Sequence, residues 1–214
     1  MAIVQNPITG RTKKKFGTAV FSKQFGKNTM RTRPIEVKNP KTLLQRQQRS
    51  KFSLMVELSR MIMVFLRIGF KQGAIGMSQF NVFMKANLSV VITGTFPNFS
   101  IDFTKLIVSK GTLASAENPS AVAATGNKVN LHWLDNSGSG NALGTDVVLA
   151  LIINYTKKTI MQDLISAMRG DEGLEFTVPA AWIGDQVHVY LSFMTPSGDK
   201  VTDSAFLGSV AIIA

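Results

Sequence analysis

From residue 93 onward the chain alternates short β-prone runs with turn signals, a rhythm that leaves few architectures open. The runs are Phe99–Ser109, Lys128–Leu134, Val147–Tyr155, Thr159–Gln162, Leu174–Val178, Val187–Met194 and Ala205–Ile213. They are rich in β-branched and aromatic residues, which fit a pleated, half-buried surface. Gly126-Asn127, Asp135 to Gly140, Thr156 to Lys158, Gly170-Asp171 and Pro196 to Asp199 separate them with residues suited to turns. In Lys128–Leu134 the alternation sets Val129, Leu131 and Trp133 on one face and His132 on the other. Short strands at this density predict an immunoglobulin-like β-sandwich over residues 93–214.

A different period governs residues 42–92. Thr42-Leu-Leu-Gln45 has the spacing of a capping box, with Thr42 as N-cap and Gln45 reaching back. The helix is expected to run to about Ile68 and to end near Gly69. Its polar positions Arg46, Arg49, Ser53, Glu57, Arg60, Arg67 and Lys71 form one narrow stripe. The wide apolar arc around it predicts a helix covered on most sides. A second helix is expected from Ser78, its cap, to Leu88. Five of the ten methionines lie between Met55 and Met84, a polarizable surface that suits a core or a subunit contact.

Residues 1–41 form a third segment. Gly10 to Lys15 reads as a basic run in a turn. Thr18–Phe25 and Thr29–Arg33 then flank Gly26-Lys27-Asn28 as a β-hairpin with a three-residue loop. Strand alternation puts Phe21 and Phe25 on one face, while Pro34 and Pro40 mark an extended linker. The chain is therefore expected to be α+β: a basic arm and hairpin (1–41), a two-helix segment (42–92) and the sandwich (93–214).

Charge follows the same divisions. Residues 1–75 hold 16 Lys/Arg against Glu36 and Glu57, a net +14; the rest hold 8 basic and 11 acidic residues, a net −3. A front of this sign is matched to a polyanion or an acidic protein surface. Arg11, Lys13, Lys14, Lys15, Lys23, Lys27, Arg31 and Arg33 are the candidate contacts. Phe16, Phe21 and Phe25 interleave with them, aromatics of the kind that stack on unpaired bases. Phe21, Phe25, Met55, Met61 and Phe65 are the candidate subunit contacts.

The absence of cysteine excludes disulfides, thiolate metal sites and cysteine nucleophiles. Met1 is followed by Ala-Ile-Val-Gln-Asn-Pro rather than a basic start and an apolar run, so no export signal is expected. The apolar stretch Leu54 to Phe70 is interrupted by Glu57, Arg60 and Arg67, which argues against a membrane span. His132 and His188 have no third ligand nearby in sequence and read as solvent-facing strand residues, so no metal is expected. Ser192, His188 and Asp185 lack a nucleophile elbow, and Gly138-Ser-Gly140 lacks the lysine and helix of a phosphate loop. The adjacent acids Asp171 and Glu172 read as solvated, and Asp135, Asn136 and Asp146 lack the spacing of a calcium loop. No catalytic residue and no cofactor is expected.

Two resemblances bear on these expectations. Lys128 to Trp133, and Val187 to Phe193 followed by Pro196-Ser-Gly198, resemble the B and F strands of fibronectin type III domains. The tyrosine those domains place just before this F strand is missing, Val187 standing near that place. The whole chain also resembles an uncharacterised domain-of-unknown-function family of Bacteroidota and their phages and prophages. The residues that carry this are Met30 to Pro34, Asn39 to Thr42, Gln45, Arg49, Phe52, Ile92 to Asp102, Trp133 to Gly138 and Ser204 to Gly208. Together they lead to the expectation of a non-catalytic structural subunit of a large assembly. The assembly most in keeping with the resemblance is a phage virion, the chain serving as capsid, decoration or head–tail connector protein. Its location would be virion or cytoplasm, its partners other subunits and, through the basic segment, DNA or RNA. The alternative is a nucleic-acid-binding accessory protein whose sandwich is a protein-interaction module. A cell-envelope binding module is disfavoured by the missing export signal.

Overall fold

The computed structural model describes residues 2–3, 14–36 and 39–214. It divides into two units, Met1–Gln45 and Arg46–Ala214, where the sequence predicts three segments. The helices at 42–92 are not a body of their own, because most of their length shares a core with the sandwich.

The first unit holds an antiparallel sheet of order β1-β4-β3-β2, built from β1 (Ala2–Ile3), β2 (Lys14–Phe16), β3 (Ala19–Gln24) and β4 (Lys27–Thr32). Lys14 and Lys15, expected in a turn, belong to a strand. The β3–β4 connection also departs from expectation. Gln24 pairs with Lys27 and Lys23 with Asn28, so the loop is the two residues Phe25-Gly26, both at positive φ. A two-residue turn with both central residues at positive φ matches the right-handed twist of its flanking strands. Phe25 therefore sits in the turn and not on the strand face of Phe21.

α1 (Leu43–Met61), which belongs to the second unit from Arg46 on, and α2 (Met63–Gly69) replace the single helix predicted, with an irregular step at Ile62. The step keeps the helical ladder, since Ile62 N–H donates to Leu58 O and Leu66 N–H to Ile62 O. The capping box is half formed: Gln45 N–H donates to Thr42 Oγ1 at 3.3 Å, but Gln45 Oε1 has no partner. Nor is α1 covered on most sides. Only Met55, Leu58 and Ser59 are buried along it, and Phe52 stays 45% exposed. Gly69 ends α2 where a Cβ would lie 2.6 Å from Val108 O, so the close approach of the 106–109 segment requires glycine there. Next come α3 (Gln79–Asn87), capped by Ser78 as predicted, and the hairpin of β5 (Ile92–Thr95) and β6 (Asn98–Ile101). The predicted strand Phe99–Ser109 survives only in β6, because Asp102 caps a 3-10 turn at Phe103–Lys105. No helix among the described residues is long and apolar enough to cross a membrane.

The remaining strands build the predicted sandwich. Those that follow are β7 (Glu117–Ala124), β8 (Lys128–Leu134), β9 (Val147–Asn154), β10 (Thr159–Asp163), β11 (Gly173–Thr177), β12 (Gln186–Met194) and β13 (Ala205–Ala211). One sheet has the order β11-β8-β7 and the other β10-β9-β12-β13, all pairs antiparallel. Val129, Leu131 and Trp133 meet Val148, Ala150, Ile152, Val189, Leu191 and Phe193 between the sheets. On the far side of the four-stranded sheet, Leu149, Leu151, Ile153 and Tyr190 pack against Met55, Leu58, Ile62, Phe65 and Phe83 of the helices. A strand buried on both faces has no polar side to show, which is why β9 reads Val-Val-Leu-Ala-Leu-Ile-Ile.

Polar pins tie the 103–109 segment to α3 on one side and to β12 and the residues before β13 on the other. Buried Asn87 donates to Phe83 O and Ile107 O and accepts from Ile107 N–H at 2.8 Å. Ser109 Oγ donates to Thr202 O, and Tyr190 donates its hydroxyl to Phe103 O at 2.7 Å, burial pushing that phenol's pKa up. The tightest approach is at Gly111, where an added Cβ would fall 2.0 Å from Val201 O, the acceptor of Leu113 N–H. Gly111→Ala should therefore cost about 1–3 kcal/mol of stability through forced backbone movement. Urea unfolding measures it, and an unchanged midpoint would show that the two backbones are free to part.

Candidate polyanion interface

The first unit concentrates positive charge because its sequence carries ten Lys/Arg and one acid, Glu36. Strand register sorts the described cations. Val20 pairs with Lys15 on one side and Arg31 on the other, which sets Lys15, Val20 and Arg31 in one row across three strands. Partners in register share a face, so Lys27 and Gln24 join that face with Ser22 and Thr29. Ser22 Oγ and Thr29 Oγ1 lie 2.7 Å apart and lock the two strands at that point. The opposite face carries Phe21, Met30 and Lys23. Arg33 follows β4, its N–H donating to Thr18 O at 2.7 Å.

Lys15, Lys23, Lys27, Arg31 and Arg33 are all exposed, and among the described residues none has a carboxylate within ion-pair distance. Lys14 lies in β2 opposite Phe21. Arg11 and Lys13 lie outside the described residues.

The second unit handles charge differently. Its fourteen Lys/Arg nearly balance twelve acids, and six of those cations are paired: Lys71–Asp199, Lys105–Asp102, Lys128–Glu175, Lys157–Asp185, Lys158–Glu57 and Arg169–Asp146. Lys51 sits over the Phe99 ring, 5.0 Å from its centroid. Exposed pairs add little stability, but they neutralise the surface that bears them. By sequence count the uncompensated charge of the chain is concentrated in the first unit, and its described cations Lys15, Lys23, Lys27, Arg31 and Arg33 are exposed.

The candidate subunit contacts divide. Phe25 is exposed, Phe21 and Met61 are half-buried, and Met55 and Phe65 are fully buried. The last two are core residues rather than contact residues, because the outer face of the four-stranded sheet needs an apolar cover and takes them for it.

The groups weighed for chemistry serve the fold. Asp185 accepts from Asn154 Nδ2 at 2.7 Å and pairs with Lys157, which holds its carboxyl below the usual carboxylate range. His188 does not face solvent as predicted. It stacks on Phe103 with centroids 3.8 Å apart, its Nδ1 meets Ser209 Oγ at 2.8 Å, and burial lowers its pKa. Ser192 Oγ donates to Leu149 O, so these three residues do not meet. Asp171 accepts from Met168 N–H and Glu172 from Asp135 N–H. No group of three His, Cys, Asp or Glu that could hold a metal ion occurs among the described residues.

One polar centre escapes sequence reasoning. Arg169 is fully buried; its Nε is 3.1 Å from Asp146 Oδ2, and its remaining nitrogens donate to Ala114 O, Ser115 O and Asn136 Oδ1. The guanidinium also lies over the Phe193 ring, while Trp133 donates its indole N–H to Arg169 O at 2.7 Å. Desolvation pulls the Arg169 pKa below its ordinary value, against the opposing pull of Asp146. A lone arginine in a loop gives no sign in sequence that the sandwich will close over it.

Comparison with known proteins adds the following. The model of a family of unknown function (DUF6266) matches residues 11–208. No curated protein matches. Among solved structures, the fn3 domain of human collagen alpha-1(XX) chain aligns over 48% of this chain and 87% of its own, with 8% identity and a TM-score of 0.35.

Proposed function

We propose that this chain, which belongs to the family of unknown function DUF6266, is a non-catalytic structural subunit of a multi-copy assembly. In this reading the sandwich and its helical layer are the rigid body. The sheet of the first unit is the docking surface, and it meets either nucleic acid or an acidic neighbouring subunit. The assembly we have in view is a phage virion, with the chain as a capsid, decoration or head–tail connector protein.

One observation carries the reading. Lys15, Lys27 and Arg31 share a sheet face, with Arg33 beside it, and none has a carboxylate partner among the described residues, while six cations of the second unit are ion-paired within it. Like charges gathered on a small sheet repel one another, so an opposite charge supplied from outside is the arrangement that relieves them. Exposed apolar residues such as Phe52 and Val64 on the helices are available for lateral contact between copies.

Light scattering on the purified protein at moderate salt tests the assembly. The expected result is a particle of many copies that grows on addition of a polyanion. A monomer that persists with and without polyanion would contradict the proposal, and a monomer that binds nucleic acid would favour an accessory nucleic-acid-binding protein instead.

A further inference from the structure

We propose that the tip of the β3–β4 hairpin is a stacking platform for unpaired nucleic-acid bases, with Phe25 as the stacking side chain and Lys23 and Lys27 as its phosphate contacts. This rests on the reading above, that the sheet meets a polyanion, and it names the polyanion.

The turn holds a local conflict. Phe25 has φ +49 and Gly26 φ +82, the left-handed pair a two-residue hairpin turn demands. Asparagine, aspartate or glycine ordinarily fills the first of these positions, since a larger side chain crowds the backbone there. Phenylalanine offers the turn no hydrogen bond, and it is 53% exposed, so the fold gains little from its ring. An aromatic held at a strained position and left in water is better accounted for by what it meets than by what it stabilises.

Its surroundings narrow the partner. Gln24 pairs with Lys27 and Lys23 with Asn28, so one lysine flanks the turn on each strand. The two project to opposite faces of the sheet, Lys27 to that of Arg31 and Lys23 to that of Phe21. Both are exposed and have no carboxylate at ion-pair distance among the described residues. An acidic protein surface would match the lysines but leave the ring without a task. Duplex nucleic acid would match them too, yet it hides the faces of its bases. Unpaired bases expose both a π-face for the ring and phosphates for the ammonium groups, and such stacking tolerates any sequence.

The test is fluorescence anisotropy with the full chain, using a labelled oligothymidylate, a duplex of equal length and heparin, a polyanion without bases. Wild type is expected to bind all three, the oligothymidylate more tightly than the duplex. Phe25→Ala should weaken oligothymidylate binding roughly ten-fold or more and leave heparin unchanged. Phe25→Asn, which suits the left-handed turn and secures the hairpin, should lose as much, and Phe25→Trp should keep wild-type binding. Asparagine or alanine variants that bind oligothymidylate like wild type, or a tryptophan variant as weak as alanine, would overturn the stacking role while the cationic reading stands. A wild type that ignores heparin and nucleic acid alike would overturn both.

Discussion

Arg169→Ala is expected to destabilise the second unit by about 3–5 kcal/mol, the largest effect of any single substitution considered. The side chain is fully buried, and its loss strands Asp146, also fully buried, whose Oδ1 already has no partner and whose Oδ2 would keep only Leu143 N–H. Ala114 O and Ser115 O would lose their guanidinium donors and Phe193 the cation over its ring. Removing one partner of a buried pair costs far more than replacing both with apolar groups of similar volume. The double variant Arg169→Met with Asp146→Leu should recover the part of the loss that comes from the stranded carboxylate, though not that from Ala114 O and Ser115 O. Urea denaturation followed by tryptophan fluorescence reads this directly, since Trp133 donates to Arg169 O. A single variant as stable as wild type would mean that water reaches the carboxylate, and the sandwich end would have to be looser than described.

Replacing Lys15, Lys23, Lys27, Arg31 and Arg33 together by alanine should reduce affinity for nucleic acid or heparin by a factor on the order of a thousand at low salt. Each cation that neutralises a phosphate releases a counterion, so the effects of removing several such cations multiply. The five side chains are exposed and pair with no carboxylate among the described residues, so the unfolding midpoint should move little. That separation of binding from stability distinguishes an interface from a merely solvated face. Equal affinity in the variant would remove these five side chains from the binding surface.

Much of this architecture can be read from residue order, and the misses have physical causes. β8 matches its predicted range, Lys128–Leu134, because alternation of Val129, Leu131 and Trp133 with polar neighbours reports burial on one face. Ser78 announces α3 because its side chain does what a cap must, accepting from Asn81 N–H. β7 escapes prediction. Its Glu-Asn-Pro-Ser-Ala-Val-Ala-Ala is poor in strand formers, and Pro119 is tolerated only because the register shifts between Glu117 and Ser120 on a strand that pairs with β8 alone in its sheet. The turn at Phe25 is displaced from its expected place because Gly26 and Asn28 are better turn residues than phenylalanine. For the helices, apolar content overstates how much of α1 is covered, since composition cannot say which of two faces a partner will reach. Of the candidate site, the separation of charge is legible because it needs only a count. The row of Lys15, Val20 and Arg31 is not, because it depends on strand register. Arg169 is illegible for a related reason: its partners Ala114, Ser115, Asn136 and Asp146 come from distant parts of the chain.

The most direct measurement of the claim that the first unit is an electrostatic docking surface is the salt dependence of wild-type binding to nucleic acid. Five phosphate contacts predict that log K falls against log salt with a slope between about −3.5 for single strands and −4.5 for duplex. The five-alanine variant should lose that part of the slope. An affinity that holds constant as salt rises would contradict the account, because a surface built from these cations cannot bind a polyanion without releasing the ions around it.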